Sequence, residues 1–141
     1  MITQNYIKMC EKAEEMQKAW KPVDWDRFIY KNDKTVGMGC GHIKSYMKVW
    51  YVWLPTQEQL QEMMTELSNE HFFKNFPKNY IPQKDEYVFP IHLLWWFSQW
   101  VVFQKRAETK ECSLNELWLA FVMYEKYHKI WTGEKWVKAD D

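Results

Sequence analysis

Residues Tyr87–Phe103 read YVFPIHLLWWFSQWVVF, seventeen consecutive positions without Asp, Glu, Lys or Arg. The reading of this run decides the fold, because it is either a membrane span or a helix packed inside a globular domain. Its length sits at the bottom of the spanning range, and Pro90, His92, Ser98 and Gln99 interrupt it. Lys84 precedes it while Lys105 and Arg106 follow, which leaves little charge bias to orient a span. The run is therefore read as a buried central helix over about 91–107, apolar on most faces, and no membrane partner is expected.

Around that helix the hydrophobic period changes several times. Tyr6, Met9, Cys10, Ala13, Met16 and Trp20 recur at helical spacing, predicting one helix over about 4–19 that Lys21-Pro22 ends. From 26 to 54 the period is two. Arg27–Tyr30 reads as a strand, Lys31–Lys34 as a turn and Thr35–Met38 as its short partner. Gly37, Gly39 and Gly41 suggest a bulge or wide turn needing positive φ. Ser45–Leu54, rich in β-branched and aromatic residues, gives the strongest strand signal.

Thr56 with Gln59, and Ser113 with Glu116, have the spacing of capping boxes, where cap and third residue satisfy each other's amides. The first predicts a helix ending near Ser68-Asn69, with Leu60, Met63, Met64 and Leu67 inward. The second predicts a helix to about Tyr127, with Leu117, Trp118, Phe121 and Val122 inward. Between them, 70–90 holds three prolines, with Phe72, Phe73, Phe76, Tyr80 and Tyr87 as aromatic anchors, and reads as a loop pinned by its rings. Residues 128–137 have the strand, Gly-containing turn, strand form of a β-hairpin. The expected fold is α+β: a single domain over 1–141, about four helices packed on a small antiparallel sheet (26–31, 35–38, 45–54), and a C-terminal hairpin.

Composition narrows the function. Nineteen basic residues balance nineteen acidic ones, which removes the electrostatic case for an obligate nucleic-acid binder. Three cysteines without a CxxC pair imply no disulfide framework, and free thiols suit a reducing cytoplasm. The N-terminus is charged from Lys8 onward and has no apolar leader run, so cytoplasmic residence is expected.

Val52–Met63 resembles the W-[IL]-P-x-Q-x-Q-L-Q-E-M segment of small proteins encoded by phages and prophages of Firmicutes. Leu117–Trp131 is similar to their C-terminal L-W-L-A-F-V-M-x-E-K-Y-x-K-x-W segment, with Trp136-Val137 following. That family has no assigned activity, so the resemblance implies a setting, a bacterial host cell, and no residue roles.

Cys40-Gly41-His42 brings two metal-ligand types together, yet paired zinc spacing is absent, and no metal or cofactor is expected. Asp24 and Asp26 flank Trp25, and Asp85-Glu86 stand in the loop; such acids are usually solvated, and no catalytic motif accompanies them. Residues 1–50 carry nine basic against six acidic side chains. There Arg27, Lys31, Lys44 and Lys48 interleave with Trp25 and Tyr46 across 25–53, as in a single-strand stacking platform. Nucleic acid is thus the alternative partner, disfavoured by the balanced charge. The leading expectation is a non-enzymatic interaction protein, because ten tryptophans are hard to bury in a core of this size and exposed Trp marks binding hot spots. Trp118, Trp131 and Trp136 are expected to form a structural aromatic cluster.

Overall fold

The computed structural model describes residues 2–38, 45–75, 88–103 and 112–139, with backbone alone at 45–47, 88 and 89. Its elements in order are α1 (Gln4–Lys12), α2 (Glu14–Ala19), β1 (Arg27–Tyr30), β2 (Val36–Met38), a 3-10 helix (Ser45–Trp50), β3 (Tyr51–Trp53), α3 (Gln57–Met63), α4 (Thr65–Asn75), α5 (Val88–Phe103), α6 (Leu114–Tyr127), β4 (Lys129–Trp131) and β5 (Trp136–Lys138). This is an α+β fold. One antiparallel sheet runs β2-β1-β3 and a separate hairpin pairs β4 with β5.

Both capping boxes form. Thr56 Oγ1 accepts from the Gln59 amide while Gln59 Oε1 accepts from the Thr56 amide, and Ser113 and Glu116 do the same for α6. Thr3 Oγ1 also donates to the Glu116 carboxylate, tying the start of α1 to the start of α6. α6 is the centre of the core. Trp118, Leu119, Phe121, Val122 and Met123 on it are buried, so more of its surface is covered than the predicted inward stripe, and Leu117 is only half-buried. The helix ends where His128 takes a left-handed φ of 55°.

The single N-terminal helix predicted over 4–19 is two helices. Ala13 leaves the helical region (ψ 74°), and its amide bonds to the carbonyl of Cys10. Cys10 keeps a second donor in Gln17 Nε2, which also donates to the Trp53 carbonyl, while Gln17 Oε1 accepts from the Trp53 amide. The break therefore aims one amide side chain at the backbone of β3.

The strand predicted over 45–54 shrinks to Tyr51–Trp53, preceded by the 3-10 helix. β1 is four residues long and the chain turns at Lys31, whose amide still reaches the Trp50 carbonyl. Residues before Trp50 therefore face no strand, and their backbone groups must be satisfied locally. Gly37 pairs with Phe28, and a Cβ there would lie 2.7 Å from the Phe28 ring. Its glycine is required by close approach, not by positive φ; Gly39 and Gly41 lie outside the described residues.

The helix predicted to stop near Ser68-Asn69 breaks at Met64 and resumes as α4 to Asn75, so the first part of the predicted 70–90 loop is helical. Ser68 and Phe72 are buried on α4, whose contact with α5 supplies the tertiary support that local sequence does not reveal. Phe76, Pro77, Tyr80, Pro82, Asp85, Glu86 and Tyr87 lie outside the described residues.

The largest departure concerns α5. It packs on α6 through Trp96, Phe97 and Trp100, with Phe97 stacked on Trp118 at 3.9 Å between ring centroids. Its other side carries Ile91, Leu94 and Trp95, then Val102 and Phe103, 49–71% exposed. The helix expected at the centre is a flank. A charge-free helix reads the same on every face, and only its neighbours decide which face is covered. No helix among the described residues is long and apolar enough to cross a membrane.

Candidate functional site

The basic and aromatic residues singled out over 25–53 do not share one free surface. Arg27 Nη2 donates to the carbonyl of Pro55. Lys48 Nζ donates to the carbonyls of Lys18 and Trp20, and burial lowers its pKa. Both cations thus serve the fold. Lys31 is exposed and lines a shallow depression with Lys18 and Lys48, where Glu11 and Glu14 offset most of the positive charge. Trp25 is 78% exposed on a turn with φ 72°. Lys44, and the Tyr46 side chain, lie outside the described residues. No specific observation favours the nucleic-acid reading.

Asp26 is not the solvated loop acid expected from sequence. It is buried, and its carboxylate accepts from Trp20 Nε1 (2.9 Å), the Val23 amide (2.9 Å) and Gln59 Nε2 (2.6 Å). It fixes the 20–26 turn to α3, and with three donors it has structural work rather than acid–base work. Asp24 is exposed.

Cys10 is fully buried beside Tyr6, and burial pushes both the thiol and the phenol upward, so this thiol is not a nucleophile. Cys40 and His42 lie outside the described residues. Among those described, no three His, Cys, Asp or Glu side chains stand together as a metal site.

His71 and His92, ligand types without paired metal spacing in the sequence, come together between α4 and α5. His71 Nδ1 stands 2.9 Å from His92 Nε2, with His71 stacked on Trp96 at 4.1 Å. A hydrogen bond between two imidazoles needs at least one neutral ring. Burial lowers both pKa values, with Lys74 adding to the effect on His71 and His71 to that on His92. Their spacing of 21 residues across two helices gave no local signal.

Trp131 and Trp136 form the predicted cross-strand pair, with ring centroids 5.2 Å apart. The hairpin docks on the helices. Trp136 Nε1 donates to the Met9 carbonyl, and Lys129 and Glu134 pair with Glu15 and Lys8. Trp118 makes its ring contacts elsewhere, with Phe97 and Phe121.

The feature without a structural role is the outer face of α5. Ile91, Leu94, Trp95, Ser98 and Val102 follow an i, i+3, i+4, i+7, i+11 pattern, which puts them on one stripe. The Ser98 hydroxyl donates to the carbonyl of Trp95, and no side chain of the stripe is charged. Exposed apolar patches of this kind mark contact surfaces. Comparison of the chain with protein-family models, curated proteins and solved structures finds no match to any.

Proposed function

We propose that this chain is a non-enzymatic interaction protein that works through the outer face of α5, with a second copy of itself as the partner. The observation that carries the reading is the uncharged stripe of Ile91, Leu94, Trp95, Ser98 and Val102, exposed to water along one face of α5.

Charge selects the partner. No Asp, Glu, Lys or Arg occurs on α5, so nothing on this face would recognise a charged target. A two-fold contact between copies sets no like charges against each other along the helix, and a net charge of zero adds no repulsion between whole molecules. The small Ser98 at the middle of the stripe lets two helices approach closely while Trp95 and Val102 pack around it. The stripe runs about 16 Å along the helix. That is narrow against the roughly 800 Å² per partner of a standard interface, so the expected association is in the micromolar range. The sequence resemblance adds the setting of a phage or prophage accessory protein in the bacterial cytoplasm.

The experiment is sedimentation equilibrium on the native chain and on Leu94→Glu and Val102→Glu variants. The expected result is a reversible dimer in the micromolar range that both substitutions abolish without lowering the melting temperature of the monomer. A native chain that stays monomeric throughout that range, or a dimer indifferent to both substitutions, would overturn the reading.

A further inference from the structure

His71 of α4 and His92 of α5 meet end on. Their ring centroids are 5.2 Å apart while His71 Nδ1 and His92 Nε2 are 2.9 Å apart, close to the greatest centroid separation that this nitrogen distance allows. The two nitrogens therefore point straight at each other, an N–H of one ring facing a lone pair of the other. Aromatic rings wall the pair. Trp96 stacks on His71, Trp95 stacks on His92 at 5.5 Å between centroids, and Phe72 meets His92 edge to face. Trp95 joins this buried contact to the surface. It stands in the exposed stripe of α5, yet its ring lies against a histidine that is only 5% exposed. His92, three residues before Trp95 on the helix, thus flanks the stripe.

We propose, building on self-association through that stripe, that the histidine pair gates it: two copies join while the pair is neutral and part as it takes up protons. Two effects act in the same direction. A first proton places a positive charge beside a helix that offers no carboxylate to receive it. Covering the flank of that helix with a second copy takes the charge further from water, which disfavours the charged form. A second proton puts an N–H on both facing nitrogens, which ends the hydrogen bond and sets two like charges end to end. The rings then separate, and Trp95 loses the surface on which it stacks. Lys74, one turn along α4, acts on His71 and adds to the positive side, while Glu66 and Glu70 of the same helix stand in water. α5 carries no charged side chain, and α6 meets Trp96 through the uncharged Phe121. Association that disfavours proton uptake is, by reciprocity, weakened by falling pH.

Sedimentation equilibrium of the native chain from about pH 8 to about pH 5 spans the range in which histidine titrates. The dimer dissociation constant is expected to rise at least about tenfold across it, and to stay nearly constant in a His71→Gln/His92→Gln variant. His128→Asn removes a histidine after α6, from a left-handed position that Asn tolerates. That variant should keep the native pH dependence, which separates the pair from a general effect of charge. A further readout needs no variant. The imidazole resonances of His71 and His92 should titrate at lower pH in concentrated, dimeric protein than in dilute monomer. A chain already monomeric at about pH 8 would overturn the reading of α5 and the gate together. The gate alone would be overturned by a dimer whose dissociation constant ignores pH, or by a pH dependence that survives in the double variant. Equal loss of that dependence in His128→Asn, or histidine titrations that do not shift with concentration, would also overturn it.

Discussion

The indole Nε1 of Trp136 donates to the main-chain carbonyl of Met9 over 2.9 Å, joining the last strand to the first helix in a buried contact. A two-stranded hairpin is marginal alone, and the flanking Lys8–Glu134 pair is exposed enough to add little. The burial of Trp136 and this bond therefore do most of the docking. Deleting residues 128–141 is expected to abolish the cooperative thermal transition. Trp136→Phe, which keeps a ring but strands the Met9 carbonyl, should cost about 1–3 kcal/mol in urea unfolding. A deletion variant with an unchanged melting temperature would show that the hairpin is not needed by the fold.

Trp118 and Trp95 should give opposite results when truncated. Trp118 is 1% exposed and stacked on Phe97, so Trp118→Ala is expected to cost about 3–5 kcal/mol through the cavity it leaves. Trp95 is half exposed on the outer face of α5, and Trp95→Ala should change monomer stability by no more than about 0.5 kcal/mol while weakening self-association. Chemical denaturation of both variants, at protein concentrations below the dimer range, makes the comparison.

Asp26 joins the turn after α2 to α3 through charge-assisted bonds, each worth about 1.5–3 kcal/mol. Asp26→Ala leaves the buried Trp20 N–H without an acceptor and is expected to cost on the order of 3 kcal/mol. Asp24→Ala, on an exposed neighbour, should cost nothing measurable. Equal unfolding midpoints for the two variants would refute the structural role given to Asp26.

The His71–His92 contact predicts an acid-side loss of stability. Both folded-state pKa values lie below the ordinary histidine value of 6.5, with burial the main cause. Below 6.5 the unfolded chain therefore binds more protons than the folded one. The stabilisation is complete above 6.5, falls as pH drops from there toward the folded values, and levels off beneath them. Urea midpoints followed across this window should fall less steeply in a His71→Gln/His92→Gln variant than in the native chain. Parallel profiles would remove the histidine pair as the cause.

How much of this could be read in advance depended on the range of the physics involved. Thr56 with Gln59, Ser113 with Glu116, and β1 were legible because their signals lie within a few residues of the element they define. The hairpin was legible because Gly133 marks its turn, where φ is 99°. Ser45–Trp50 misled because strand propensity describes the side chains, while a strand also needs a partner, and β1 ends too soon to provide one. Ala13 and Met64 break their helices for tertiary reasons, one aiming Gln17 at β3 and the other letting α4 reach α5. The outer face of α5 is a property of its surroundings, and no spacing in the chain announces it.

The two hydrogen bonds between the Gln17 side chain and Trp53 have a consequence for assembly. Phe28 and Trp53 face each other in the antiparallel register between two bonded pairs, so the amide and carbonyl of Trp53 point away from β1. That is the direction in which a further strand would add, and a primary amide, turning one N–H and its oxygen to Trp53 as a peptide group would, occupies it. Gln17 stands in for a missing neighbour at the margin of the sheet, closing a margin that would otherwise template pairing between chains and lead toward fibrils. Copies of this protein that meet are thereby kept from pairing along β3. Gln17→Leu would reopen the margin.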